Sequence, residues 1–139
     1  MSDRELVKMA FAAREFAYVP YSGYMVGAAL LAKNGEVFTG CNIENAAYSP
    51  TNCAERTAFF NAVSKGVREF VAIAVVGGCA DTQPGEFDYT FPCGVCRQVM
   101  LEFCDPGTFR VIVAKSETDI LSRTLAQLAP DSWTATSMK

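Results

Sequence analysis

Apolar residues recur every three or four positions from Leu6 to Ala17, which is the spacing of one face of an α-helix. Ser2 and Glu5 stand just before this pattern at the spacing of a capping box, in which two side chains satisfy free N–H groups at a helix start. The sequence therefore predicts an amphipathic helix of about four turns, broken by the Pro and Gly of segment 20–23. Its apolar face comprises Leu6, Met9, Ala10, Ala13, Phe16 and Ala17.

Two extended runs follow the first helix, from Val26 to Lys33 and from Glu36 to Ile43. They are joined by Asn34-Gly35, a dipeptide typical of tight hairpin turns, so we expect two antiparallel strands. The first run is nearly all apolar, which indicates burial on both of its faces. A second helix is predicted from Ala54 to Lys65, because Gly66 favours the left-handed conformation that ends many helices.

The second half of the chain alternates strands and helices. An apolar run from Phe70 to Val76 predicts a central parallel strand, and the long polar loop after it, residues 79–91, is expected to be mobile. A third helix is predicted from Cys93 to Cys104 and a fourth strand from Phe109 to Ala114. Residues 121–128 have the pattern of a short strand turning into a helix.

This order of elements predicts the fold class. Helices that connect strands are typical of α/β proteins, in which crossovers place helices on both faces of one sheet. We expect a single domain over residues 1–139, folded as a three-layer α-β-α sandwich with a mixed sheet of about five strands. The sheet is expected to be antiparallel at the hairpin and parallel through two crossovers.

The composition excludes several chemistries. The chain has six Cys and no His, so imidazole can serve neither as a catalytic base nor as a metal ligand. Its net charge of −3 comes without blocks of either sign, which argues against nucleic acid as a partner. No apolar run approaches the roughly 20 residues of a membrane span, and the first residues lack the pattern of a secretion signal. We therefore expect a cytoplasmic protein without a membrane partner, whose cysteines stay reduced.

Three of the cysteines are placed where they can share one metal ion. Cys93 and Cys96 are three residues apart at a predicted helix start, so their sulfurs emerge on one side of its first turn. Cys53 begins another predicted helix, and the sandwich topology brings both helix starts to one edge of the sheet. A zinc site with three protein ligands keeps a position open for water or substrate.

Two charged residues adjoin Cys53. Arg56, one helical turn further on, can donate to thiolate sulfurs and offset the negative charge that three thiolates place around a dication. Glu55 is the candidate proton carrier. With His absent, a carboxyl group whose pKa is raised by burial can accept and return a proton near neutral pH.

Two other functions could use the same cysteines. The segment from Cys93 to Cys96 is also typical of a thiol–disulfide oxidoreductase, although that function leaves Cys53 and Glu55 unexplained. A zinc-dependent binding module would need a fourth ligand near the third, and no cysteine has that spacing. Metal analysis distinguishes both functions from a hydrolytic zinc site.

Residues 51–58 (TNCAERTA) and 92–99 (PCGVCRQV) closely resemble the paired motifs of the free-nucleoside cytidine deaminases, and the resemblance extends from Pro20 to Trp133. It implies one zinc ion per chain, bound by Cys53, Cys93 and Cys96, and a water whose proton Glu55 takes before attack on C4 of cytosine. The implied products of this pyrimidine salvage reaction are uridine or 2′-deoxyuridine and ammonia. Blasticidin deaminase also has an all-Cys site, so a related cytosine nucleoside stays open as an alternative substrate.

Further residues match substrate-binding positions of that family. Asn42 and Glu44 match a pair that binds the ribose, which favours free nucleosides over nucleotides. Tyr24 stands where the family commonly has a Phe that stacks on the pyrimidine. Positions that complete the pocket, within the chain or from a neighbouring subunit, are matched by Ala54, Ala46, Tyr48 and Trp133. The resemblance thereby implies a homotetramer whose sites are completed by neighbouring subunits.

Overall fold

The computed structural model describes residues 1–138 and contains a mixed five-stranded sheet with helices on both of its faces. It confirms the predicted α/β class and three-layer arrangement. In chain order the elements are α1 (Asp3–Arg14), β1 (Tyr24–Ala32), β2 (Val37–Cys41), α2 (Ala54–Ser64), β3 (Phe70–Cys79), α3 (Gly94–Phe103), β4 (Arg110–Ala114), β5 (Ile120–Thr124), α4 (Leu125–Leu128) and a final 3-10 turn (Ala135–Met138).

The strands lie in the order β2-β1-β3-β4-β5. β1 and β2 form the predicted hairpin, with Leu30 opposite Phe38 and Gly35 in the turn at φ +92°. β1 also pairs antiparallel with β3, whereas β3 and β4 are parallel and β5 returns antiparallel to β4. The crossover through α3 thus joins parallel neighbours. The crossover through α2 passes over β1, so β2 and β3 run in the same direction without pairing.

Alternation of side chains along the strands divides the core into two layers. On one face of the sheet, Ala28 and Leu30 of β1 pack with residues of α2 and α3 such as Phe59 and Met100. On the other face, Ala29 packs against α1, whose buried residues include Leu6, Val7 and Ala10. Because α2 and α3 cover the same face and both follow strands that end at the same edge, their first turns lie close together.

Several element boundaries follow the prediction. Both hydrogen bonds of the capping box between Ser2 and Glu5 are present at the start of α1. The observed ends of α2 and α3 lie within one residue of the predicted ones, and residues 120–128 form a strand followed by a helical turn. None of the helices in the described part of the chain combines the length and the apolar character that crossing a bilayer takes.

The end of α1 differs from the prediction. The helix stops at Arg14, and Phe16, which was expected on the buried face, is 82% exposed. The cause is a tertiary contact, because the Tyr18 N–H donates to the Asn42 carbonyl and the Tyr18 carbonyl accepts from the Glu44 N–H. The chain therefore leaves the helix in order to pair with the segment that follows β2.

The loop between β3 and α3 is anchored on the sheet, although its polar sequence suggested mobility. β3 continues to Cys79, beyond the apolar run that was expected to end at Val76, and so includes Gly77 and Gly78. A Cβ atom on Gly78 would lie 2.7 Å from Cδ1 of Phe87, so the glycine permits the close approach of this ring. Phe87 is buried, meets Phe11 edge to face at 5.3 Å, and lies under the Arg14 guanidinium.

Candidate active site

The first turns of α2 and α3 meet at the edge of the sheet where β2 and β3 end, and they bring three thiols together. Cys53 and Cys93 are the N-cap residues of the two helices. The Sγ atoms of Cys53 and Cys93 are 3.8 Å apart, those of Cys93 and Cys96 are 3.4 Å apart, and all three lie within 4.8 Å of one another. The convergence predicted from the sequence is therefore observed.

This cluster fits a zinc ion. Tetrahedral zinc with Zn–S bonds of about 2.3 Å holds its sulfurs about 3.8 Å apart, close to the observed spacing. A disulfide would need about 2.05 Å, and the three cysteines are free thiols. Within residues 1–138 no carboxylate or further thiol joins the three sulfurs, so one coordination position stays open. Cys93 is exposed at the mouth of the site, whereas Cys96 is buried beneath it.

Hydrogen bonds to Cys53 favour its thiolate form. The Arg56 guanidinium donates from Nη2 to the Cys53 sulfur at 3.2 Å. Hydrogen bonding with Cys96, assisted by this bond and opposed by burial, lowers the pKa of the Cys53 thiol. The Nε atom of Arg56 is buried and has no hydrogen-bond partner within the described residues. The structure thus places Arg56 where it can offset thiolate charge.

Glu55 lies in the first turn of α2 and is only 5% exposed. Burial raises the pKa of its carboxyl group to about 7, and the nearby charge of Cys53 adds to this effect. A carboxyl group with that pKa exchanges its proton readily at neutral pH, as a general acid–base catalyst must. Beside Cys53, Arg56 therefore provides a positive charge and Glu55 provides a carboxyl group that can exchange a proton.

Asn42 and Glu44 follow β2 at the same edge of the sheet. The side chain of Asn42 binds the start of β1, and that of Glu44 binds the turn before it. The Asn42 amide accepts from the Val26 N–H at 2.9 Å and donates to the Tyr24 carbonyl at 2.8 Å. The Glu44 carboxylate accepts from the N–H and hydroxyl of Ser22, which lower its pKa and keep it ionised. The Asn42 amide and the Glu44 carboxylate both retain capacity for further hydrogen bonds.

A cavity of about 300 Å³ opens beside Glu44. It is shallow and mixed in character, with aromatic rings and hydroxyl groups around one carboxylate. Its walls are formed by Tyr21, Ser22, Glu44, Asn45, Tyr48 and Thr51. The cavity is of the size and polarity that a sugar could occupy.

The remaining residues singled out from the sequence have different degrees of access. Tyr24 is 36% exposed at the start of β1, next to Asn42. Tyr48 is 78% exposed and has a φ of +46°, Trp133 is 62% exposed, and Ala46 is exposed too. Ala54 is fully buried at the first position of α2. Of these residues, Ala54 alone is buried, whereas the others have solvent-exposed surface.

Sequence reasoning missed Ser22 and Thr90. The Ser22 hydroxyl links Glu44 to the Tyr24 N–H, and the Thr90 hydroxyl lies 2.8 Å from that of Tyr24. Single Ser and Thr residues are too common in loops to be recognised alone. The signal available for Thr90 was indirect, since the hydroxyl of a half-buried Tyr usually has a partner.

Comparisons with known proteins give one consistent result. The family model described as "Cytidine and deoxycytidylate deaminase zinc-binding region" matches residues 1–114. The chain is 54% identical over 130 residues to a cytidine deaminase of Sporosarcina psychrophila, covering 94% of this chain and 90% of that protein. It is 50% identical to the Halalkalibacterium halodurans cytidine deaminase, over 99% of this chain and 98% of that one. The crystal structure of cytidine deaminase from Burkholderia pseudomallei superimposes with a TM-score of 0.85 at 46% identity, covering 96% and 100% of the two chains.

Proposed function

Because the chain belongs to the cytidine and deoxycytidylate deaminase family, we propose that it deaminates cytidine and 2′-deoxycytidine to uridine and 2′-deoxyuridine with release of ammonia. The observation that carries this proposal is the cluster of three sulfurs at zinc spacing beside a buried carboxyl group with a raised pKa. We assign the activity to a single catalytic domain over residues 1–139 with one zinc ion.

The residues of the site divide the chemistry between them. Cys53, Cys93 and Cys96 would hold a zinc ion, which would supply the Lewis acidity that lowers the pKa of water toward about 7. Glu55 takes a proton from the attacking water and delivers it to N3 of the pyrimidine. It then takes the proton of the hydroxyl group added at C4 and delivers it to the leaving amine, so that the carbonyl of uridine forms as ammonia departs. Its burial suits both steps, because a pKa of about 7 allows it to hold and to release the proton at neutral pH.

The substrate is bound through its sugar and its base. We assign the ribose hydroxyls to Asn42 and Glu44, whose side chains keep unused hydrogen-bonding capacity. Glu44 also lines the cavity. The ring of Tyr24, partly exposed and next to Asn42, is assigned to the face of the pyrimidine, and the first turn of α2 at Ala54 to the floor of the pocket. The ionised Glu44 disfavours a 5′-phosphate if that group comes near, so we propose nucleosides as substrates.

The assembly is proposed to be a homotetramer in which neighbouring subunits complete each site. Ala46, Tyr48 and Trp133 are exposed in the single chain, and large exposed aromatic side chains are enriched at interfaces. The C-terminal segment is held in a defined place, since Gln98 donates to the Trp133 carbonyl at 2.8 Å. We place the enzyme in the cytoplasm, acting on small molecules and not on nucleic acid or membranes, in keeping with a net charge of −3.

The proposal is tested by following ammonia release from cytidine, 2′-deoxycytidine, cytosine, deoxycytidylate and blasticidin S, with and without a zinc chelator. We expect release from the two nucleosides, loss of activity on chelation, and one zinc per chain by elemental analysis. Release from none of the compounds would refute the function. Release from deoxycytidylate or blasticidin S alone would refute the substrate. A metal-free chain that reduces disulfides would favour the oxidoreductase instead.

A further inference from the structure

Tyr24 is held at three separate points, two on its backbone and one on its ring. Its N–H donates to the Ser22 hydroxyl at 3.0 Å, and its carbonyl accepts from the Asn42 amide at 2.8 Å. Its phenol oxygen lies 2.8 Å from the Thr90 hydroxyl. The first two bonds fix the backbone, and only the third acts on the ring.

The Thr90 hydroxyl joins the end of the Tyr24 ring to β3. It lies 2.8 Å from the phenol oxygen of Tyr24 and 3.3 Å from the Gly77 carbonyl, to which it can donate. Tyr24 is thereby connected through Thr90 to the end of β3.

The ring of Tyr24 also rests directly on the backbone of β3. A Cβ atom on Gly77 would lie 3.1 Å from Cε1 of Tyr24 and 3.0 Å from the Thr90 hydroxyl oxygen. The glycine makes room for both groups at once, so the ring has β3 on one side and the hydroxyl of Thr90 at its tip. Rotation of the ring away from β3 would break the bond to Thr90.

The segment that carries Thr90 is itself held in place. It lies three residues before Cys93, on the segment that leads into the cluster of three cysteines. The preceding residue, Tyr89, donates its hydroxyl to Asp119 and lies under the ammonium of Lys115 at 4.9 Å. The segment is thus tied to the turn between β4 and β5 before it reaches the site.

We propose that Thr90 is a positioning residue for the substrate base, which it orients by fixing the ring of Tyr24 through their hydroxyl pair. The inference rests on the proposed function, in which that ring faces the pyrimidine. A ring held in place contacts the base in the ground state and in the transition state alike. Loss of the hydroxyl pair should therefore raise KM and leave kcat nearly unchanged.

The test is a double-mutant cycle on the zinc-loaded enzyme with Thr90→Val, Tyr24→Phe and both together. We expect each single change to raise KM for cytidine about three- to tenfold, the range of one neutral hydrogen bond, and the double variant to equal the singles. Thr90→Ser keeps the hydroxyl and should restore a KM within about twofold of wild type. Thr108→Val, on a loop at the opposite edge of the sheet, is the matched control and should leave both constants unchanged.

The outcomes separate the possible failures. A purely structural role of Thr90 would lower zinc content and kcat, because Cys93 lies close by, and that result would overturn the inference. A further rise in KM when Thr90→Val is added to Tyr24→Phe would show that the two hydroxyls do not act together, and would overturn it too. If the wild type turns over cytidine normally and Thr90→Val has the same KM and kcat, this inference is wrong while the proposed function stands. Absence of wild-type turnover defeats the proposed function and the inference with it.

Discussion

The substitution Glu55→Gln tests the proton-transfer role of Glu55. Its effects on turnover, on zinc content and on the free energy of unfolding can be measured separately. The substitution keeps the shape of a side chain that is only 5% exposed, so the fold and the three sulfurs should stay in place. General acid–base catalysis contributes about a hundred- to ten-thousandfold to a rate, and we expect turnover to fall by that factor. Zinc content should stay at the wild-type value, because Glu55 is not among the clustered ligand atoms.

The same substitution has a calculable effect on the stability of the zinc-free protein. Burial raises the pKa of Glu55 from 4.5 to about 7. Between these values the folded chain binds a proton that the unfolded chain has released, so the free energy of unfolding falls as pH rises. At about 1.4 kcal/mol per pKa unit, the loss is complete above the folded pKa and amounts to about 3 kcal/mol. The variant lacks this loss and should be the more stable protein at about pH 8, with little difference below pH 4.5.

The assay is urea unfolding of chelator-treated wild type and variant across this pH window, with turnover of the zinc-loaded proteins measured in parallel. Glu102→Gln makes the same chemical change on an exposed position of α3 and should leave the pH dependence of stability as in wild type. Parallel stability curves for wild type and Glu55→Gln would refute the argument from burial. Near-normal turnover in the variant would remove Glu55 from the mechanism.

Two further substitutions test other parts of the site, and a labelling experiment tests the burial of Cys104. Arg56→Gln removes a charged hydrogen bond to Cys53 and should weaken zinc affinity about ten- to a hundredfold in competition with a chelator; an unchanged affinity would refute its role as charge offset. Glu44→Gln should raise KM for cytidine about tenfold with little change in kcat in initial-rate measurements, and a loss confined to kcat would contradict sugar binding. Burial raises the pKa of Cys104 to about 12, so its alkylation by iodoacetamide at about pH 8 should be far slower than that of exposed Cys79 by mass spectrometry, and equal rates would contradict this.

The cluster of three cysteines could be predicted from the sequence because helix starts, residue spacing and chain topology determine it. Cys53 and Cys93 both stand at helix starts, the spacing of Cys93 and Cys96 is one helical turn, and the crossover connections bring the helix starts to one edge. The end of α1 could not be predicted in this way. Its periodicity continues to Ala17, and the competing bonds of Tyr18 come from a segment that is distant in sequence.

The role of the two glycines at the end of β3 also depends on residues that are distant in sequence. Gly77-Gly78 reads as a chain break, yet both residues lie within a strand that continues to Cys79. They are small because the rings of Tyr24 and Phe87 pack on them, one on each face of the sheet. Sequence alone cannot distinguish a glycine that turns the chain from one that makes room for a ring, because the second depends on residues far away in the chain.

The lack of His in this chain makes its electrostatic environment part of the catalytic design. Three thiolates around a dication leave a net charge of about −1, which weakens the acidity that a hydrolytic zinc site needs. Arg56 contributes one positive charge at 3.2 Å from Cys53, and the N-termini of α2 and α3 contribute roughly half a charge each. Solvent partly screens the charge of the helix ends, and Arg56 adds a full positive charge in direct contact with a ligand sulfur. We therefore expect the removal of Arg56 to lower metal affinity before it lowers the stability of the fold.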